Sequence, residues 1–343
     1  MSWYNSTGPM QTHVLYTKVK YVRNPKDTNF YHISDQKRAD ELFSRLKVTL
    51  EGNGFRGENV SDKGTVYLLS LAEKQLAEHD FVYSDRPRAL YFNEPCNLTV
   101  ALGGDNYISI SSTAAGLALK EAHNMSTGAE ELIDREIPFA YSDRLGYLSP
   151  NISECGSGAT FSSALYLPSL RLLGDAARRM LSLTSLNMTL SPMMQNEGNG
   201  GDVYLLSYSP HYLSDEESAV AHFTNTVTCL VEKEETILST LFKERKKLLY
   251  DKARRALGTL LYSESISENE MLSLLSDIRL YHSVNKCAPV ALPHLSDLNY
   301  LTVEGLNASM LLSSGEKCNS IEELNCLRAT LIKKYLNEKT EVS

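Results

Sequence analysis

Apolar residues recur at helical spacing from Ala39 through Leu42, Phe43, Leu46 and Leu50, with Ser34 ahead of them as a cap and Gly52 or Gly54 behind. That pattern predicts an amphipathic helix stopped by glycine. Residues 1–33 before it read as irregular, with a strand-like Val14-Leu15-Tyr16 and a break at Asn24-Pro25. From 64 to 112 the texture changes. Segments 65–70, 88–93, 97–102 and 107–112 are rich in β-formers and separated by polar or glycine turns, with a helical interruption at 71–78. Short turns between consecutive strands favour antiparallel pairing. Residues 113–142 and 167–184 read as helices, the second opened by Pro168, and strands return at 186–190 and 202–208. The polar Asn196-Glu197-Gly198-Asn199-Gly200-Gly201 between those strands lacks the G-x-x-x-x-G-K spacing of a phosphate cradle and reads as a hairpin connection.

From Ser214-Asp215-Glu216-Glu217, which has capping-box form, to about 340 the pattern is almost wholly helical, broken near Cys287-Ala288-Pro289 and Pro293. Lys243-Glu244-Arg245-Lys246-Lys247 reads as a solvated face of that helix. The expected fold class is α+β: an antiparallel β-sheet flanked by helices over residues 1–245, followed by an all-helical C-terminal domain over 246–343.

Composition narrows the function. A chain of 343 residues that is 42% hydrophobic and 22% charged is ordinary for a globular protein of about two domains. A net charge of -8 disfavours a nucleic-acid partner or an anionic membrane surface. Six scattered cysteines without a C-x-x-C pair disfavour structural zinc and a disulfide framework, and the eight histidines show no H-x-x-x-H ligand spacing. No charged-then-apolar leader and no apolar run near the ~18 residues of a membrane span stand out, so a cytoplasmic protein is expected. Cys155, with no histidine near it in sequence, reads as a structural thiol.

The segment from Gly146 to Leu170 carries the chemistry. Its glycine frame (Gly146, Gly156, Gly158) and its closing Leu167-Pro168-Ser169-Leu170 resemble the signature segment of the guanidino (phosphagen) kinases, most closely the bacterial protein-arginine kinases. Two further stretches extend the resemblance over residues 12–335. Arg255-Ala256-Leu257-Gly258 through Leu280 is similar to the helical extension of the protein-arginine kinases. Leu324-Asn325-Cys326-Leu327-Arg328-Ala329 aligns with their R-D-x-x-R-A motif, which implies a phosphoarginine-binding regulatory site with Arg328 as its remnant.

The resemblance implies in-line transfer of the ATP γ-phosphoryl group to a guanidinium nitrogen. Such transfer depends on positioning and on positive charge around the phosphates, which the family supplies as forked arginines. The arginines of its S-S-R-x-R-x-x-R-N motif become Lys18 and Lys20, with Arg23 kept. Its E-K-H becomes Glu73-Lys74-Gln75, and its N-E-E-D-H-I-R-I becomes Gly103–110, with Ser109 for arginine, Gly104 for one carboxylate and Asp105 for the other. Thr160 replaces the signature arginine, and R-G-x-x-G-E aligns with residues 190–195, from Leu190 to Gln195.

Of five clamp positions, two keep charge as lysine and three are neutral. Losing one preorganised donor costs about 10²–10³ in rate. The expectation is therefore a catalytically degenerate kinase that works by binding, with a divergent active protein-arginine kinase as the alternative. No catalytic residue is intact; Asp105 is the remnant candidate, and its plainer reading is a hairpin-turn residue. Nucleotide-cleft positions by alignment are Lys18, Lys20, Arg23, Gln75, Ser109, Gly156, Gly158, Thr160 and Gln195. No metal site is expected. No cofactor is expected of an inactive protein, and Mg-ATP of an active one. The partners the resemblance implies are an active kinase paralogue, its zinc-binding activator or a Clp unfoldase in protein quality control, together with a second copy in a homodimer.

Overall fold

The hydrophobic positions sort onto the two faces of one sheet. The structure, a computed structural model, describes residues 2–94, 96–174, 176–193, 200–211, 215–285 and 292–341. Its strands are β1 (Val14–Arg23), β2 (Arg56–Asn59), β3 (Ala89–Phe92), β4 (Leu98–Leu102), β5 (Ile108–Ala115), β6 (Tyr141–Ser142), β7 (Gly146–Tyr147), β8 (Ala159–Tyr166), β9 (Met188–Pro192) and β10 (Val203–Tyr208). Eight of them form an antiparallel sheet in the order β2-β3-β4-β5-β1-β8-β10-β9, and β6 and β7 make a small hairpin. The helices are α1 (Gln36–Gly52), α2 (Thr65–Glu73), α3 (His79–Tyr83), α4 (Leu119–Glu136), α5 (Pro168–Leu173), α6 (Ala176–Thr184), α7 (Glu216–Leu241), α8 (Lys246–Tyr262), α9 (Glu268–Val284), α10 (Leu295–Glu304), α11 (Asn307–Ser314) and α12 (Ile321–Glu341). An antiparallel sheet flanked by helices and followed by a helical region is the fold expected from the pattern. Among the described residues, no helix is long and apolar enough to cross a membrane.

Paired residues on neighbouring antiparallel strands point to the same side. On one side Val19, Tyr21, Ile108, Ile110, Phe161 and Leu206 pack against α1, α4 and α7 in the main core. The other side is divided. Leu90 and Ala101 are covered by Leu68 and Leu71 of α2 and by Phe81 and Val82. Tyr16, Ala164 and Tyr166 share a second core with the helical region, including Leu249, Leu272, Leu298 and Ile332. The stretch of this face between those two coverings carries Lys18, Lys20, Ser109, Ser111, Thr160 and Ser162.

Several local expectations are corrected. The chain before 33 is not mainly irregular: β1 runs ten residues and lies near the centre of the sheet. Residues 65–70 form the start of α2, because Leu68 and Leu71 are a helical turn apart, and packing against the sheet and α11 outweighs the β-propensity of Thr65-Val66-Tyr67. That helix ends at Glu73, and α3 is a separate short turn. Residues 113–115 prolong β5, so α4 occupies only the middle of 113–142.

Asp35, not Ser34, caps α1, accepting from the Lys37 amide at 3.2 Å. Asp215 caps α7 by accepting from the Ser218 amide at 2.9 Å, which moves the cap one residue beyond Ser214. The charged run 243–247 spans the exposed turn between α7 and α8. The glycine-rich connection 196–199 and the break at 287–289 lie outside the described residues, as do Ser214 and Gln195.

Candidate functional site

Lys18 and Lys20 are neighbours on one face of β1, and cross-strand pairing places Thr160 opposite Lys20 and Ser162 opposite Lys18. Ser109 pairs with Val22, one step further along the same face. The sheet therefore brings Lys18, Lys20, Ser109 and Thr160 onto one surface. Thr160 is half-buried, and its Oγ1 lies 3.4 Å from Ser209 Oγ.

Each lysine already faces a carboxylate of the same chain. Lys18 is buried, and its Nζ lies 2.5 Å from Glu78 Oε1. Lys20 Nζ lies 3.2 Å from Glu154 Oε1. Glu154 also accepts from Asn106 Nδ2 at 2.8 Å and Ser149 Oγ at 3.1 Å. Lys18 holds the Glu78 carboxyl down at about 2, with Lys20 adding to that and burial opposing it. Burial presses the Lys20 ammonium down, yet Glu78 and Glu154 outweigh it and leave the group above its ordinary value. Two ammonium groups facing two carboxylates have no net charge. A triphosphate would have to displace a built counter-ion from each lysine, and it would meet hydroxyls where a fork of donors is needed. The residues present do not fit Mg-ATP.

Arg23 is also committed. Its guanidinium donates to Glu130 at 2.6–2.7 Å and to the Val22 carbonyl at 2.7 Å, and it lies 3.6 Å from the centre of the Tyr147 ring. The glycine frame makes room for it. Gly158 has φ +58°, and a Cβ there would come 2.4 Å from an Arg23 nitrogen. Gly146, with φ +74°, faces the Gly156 carbonyl, where a Cβ would approach to 2.3 Å. The Tyr147 and Gly156 amides and carbonyls bond each other at 2.8 and 3.1 Å. These glycines serve the packing of the loop on β1.

Asp105 lies at the exposed tip of the β4–β5 turn, where its amide donates to Asp80 Oδ2 at 3.3 Å. Cys155 is half-buried, its Sγ 3.3 Å from the Ser149 carbonyl. Gln75, with φ +62°, ends α2 and turns its side-chain amide back to Ala72 O at 3.3 Å. Its neighbours brace the helical region: Glu73 accepts from the Ala308 and Ser309 amides at 3.0 and 2.6 Å, and Lys74 pairs with Glu304 at 2.9 Å. Three residues escaped sequence reasoning, namely Glu78, Glu154 and Asn106. Glu78 is 60 positions from Lys18, and Glu154 is 134 from Lys20, so no local pattern marks them.

Arg328 is held far from these groups in sequence, at 1% exposure. Its Nε donates to Gly305 O at 2.9 Å, one terminal nitrogen to Ile266 O and Asn325 Oδ1 at 2.8 Å each, and the other to Asn307 Oδ1. Burial lowers its pKa, and its hydrogen-bond partners among the described residues are neutral oxygens. It borders a cavity of about 250 Å³ with Tyr300, Glu304, Tyr335 and Glu338. Among the described residues, no group of three or more histidine, cysteine, aspartate or glutamate side chains converges as a metal site would require.

This sheet, its signature loop and the lysine pair on β1 define a guanidino-kinase scaffold. The description "ATP:guanido phosphotransferase, C-terminal catalytic domain" matches residues 58–237, and the chain belongs to that family. Residues 246–343 match the protein-arginine kinase McsB C-terminal domain, which places the chain on the protein-arginine-kinase side of the family. The protein-arginine kinase of Exiguobacterium sp. is 26% identical over 95% of this chain and 93% of its own length. That of Syntrophomonas wolfei is 25% identical over 100% and 97%. The fold is similar to the duplicated taurocyamine kinase of Schistosoma mansoni (TM-score 0.60, 17% identity, 71% of this chain and 38% of that one). It is also similar to a lombricine kinase (TM-score 0.57, 14% identity, 68% and 75%).

Proposed function

We propose that this chain is a catalytically degenerate protein-arginine kinase that acts as a binding or regulatory subunit. The neutralised lysine row carries the reading: Lys18 and Lys20, the two cations left of the clamp, each face a carboxylate of the same chain. Phosphoryl transfer draws its rate from positive charge aimed at the phosphates. Here that charge is cancelled internally, and Ser109 and Thr160 stand where further arginines would.

The partners in keeping with this reading are an active protein-arginine kinase, its zinc-binding activator or a Clp unfoldase, met in the cytoplasm by a homodimer. Calorimetric titration with Mg-ATP tests it together with mass-spectrometric search for phosphoarginine on an added protein substrate. The expected result is no binding at millimolar Mg-ATP and no phosphoarginine. Phosphoarginine formation by the purified chain overturns the reading in favour of a divergent active kinase. Binding without transfer overturns it in favour of a nucleotide sensor.

A further inference from the structure

A second cavity, of about 250 Å³, opens on the side of the sheet covered by α1, α4 and α7, opposite the lysine row. Ala159 and Phe161, which alternate with Thr160 along β8, line it together with Tyr21, their neighbour on β1. Tyr147 and Tyr141 of the small hairpin close it from the loop side, and His123 of α4 and Glu216 of α7 complete it. The rings fall in two groups: Tyr21 and Phe161 each meet the His123 imidazole edge-on, at 6.2 and 5.9 Å between centres, and Tyr141 meets Tyr147 edge-on at 5.3 Å.

Two features define what the cavity would hold. The first is charge: among the described residues of the lining Glu216 is the one carboxylate, its side chain 69% exposed at the mouth, with Asp215 and Glu217 exposed beside it. Aromatic faces carry negative quadrupole and add to that field. The second is an unmet bond. His123 Nε2 is buried and makes no hydrogen bond within the described residues, although a Glu216 oxygen lies 3.5 Å away. A donor entering between the rings would reach the Glu216 carboxylate, and His123 Nε2 as well in the tautomer that carries its proton on Nδ1. Tyr147 already stacks on the Arg23 guanidinium, so the loop is built around a cation–π contact, but Arg23 is spent on Glu130 and Val22.

We propose that this cavity is a docking pocket for a cationic side chain, arginine or lysine, of a partner polypeptide, with Tyr141 and Glu216 as its accessible wall. It lies on the other side of the sheet from the degenerate cleft and stands whether or not that cleft is active.

The test uses the full chain and three short blocked peptides that differ only in a central arginine, lysine or glutamine, followed through the backbone NMR signals of Gly156 and Ser157. The arginine or lysine peptide should shift these signals saturably, and the glutamine peptide should not. Response to arginine alone assigns recognition to the planar guanidinium; response to both assigns it to charge. Tyr141→Ala should weaken binding roughly three- to thirtyfold, the range of a cation–π contact. Glu216→Gln should weaken it about two- to fivefold, as for an exposed ion pair. Both side chains are exposed, at 55% for the Tyr141 residue and 69% for the Glu216 side chain, so the variants should fold; circular dichroism checks this. Absence of saturable shifts, an equal response to glutamine, or binding untouched by both substitutions would overturn the proposal.

Discussion

The lysine row on β1 and the Arg328 post in the helical region both hold cations within the fold, and they do so by different means. Lys18 and Lys20 are cancelled: each meets a carboxylate, and the surface they share is electrically neutral. Arg328 is kept as a cation and surrounded by neutral oxygens from Gly305, Ile266, Asn307 and Asn325. Carboxylate pairing removes the long-range attraction for an anion, whereas carbonyl contacts only occupy donors. A buried cation can thus serve as structure when its hydrogen bonds are turned inward.

The comparison breaks most visibly at Arg328. Arg328→Ala leaves three turns of chain without the donors that join them, and unfolding in urea should show a loss of about 3 kcal/mol or more. A loss below about 1 kcal/mol would mean that the arginine is not the post described. Gly158→Ala forces a side chain into left-handed backbone against the Arg23 guanidinium and should cost about 2 kcal/mol by the same measurement.

Lys18→Met strands Glu78 without its partner. The Glu78 side chain keeps 35% of its surface, so screening holds the expected cost to about 1–2 kcal/mol, below that of a fully buried pair. This contribution depends on pH. The Glu78 pKa falls from 4.5 in the unfolded chain to about 2 in the folded one. The stabilisation is therefore complete above about 4.5 and is lost as pH falls toward 2. Stability against pH should fall through that window in the parent chain and more shallowly in Lys18→Met. An identical acid limb in both would remove the Lys18–Glu78 pair from the account.

The smallest effect is the sharpest test of cancellation. Glu78→Gln with Glu154→Gln frees both lysines, and pyrophosphate should then bind roughly three- to tenfold more tightly by calorimetry. The same exchange of Asn325 and Asn307 for alanine should leave binding at the lysine row unchanged. An unaltered pyrophosphate affinity in the double glutamine variant would show that the carboxylates do not limit anion binding at the lysine row.

Much of this was legible beforehand. The hydrophobic period located α1, the strands β3, β4 and β5, and the helical second half, because side chains facing a common core must recur at the period of their element. The glycine frame marked the loop because Gly146 and Gly158 occupy positive-φ positions with no room for a side chain. Residues 65–70 misled because short apolar runs rich in β-formers do not reveal their element until a surface to pack on exists.

The sequence by itself determined the family and the antiparallel sheet with its helical extension. Those follow from local pattern and residue identity. Only the tertiary structure decided what the surviving cations do. Glu78 and Glu154 reach Lys18 and Lys20 because α2, α3 and the signature loop fold over β1, and Coulomb energy depends on separation in space and not along the chain. The same holds for the ring-lined cavity behind the loop, whose walls come from β1, β8, the small hairpin, α4 and α7 and meet only when the sheet is closed by its helices.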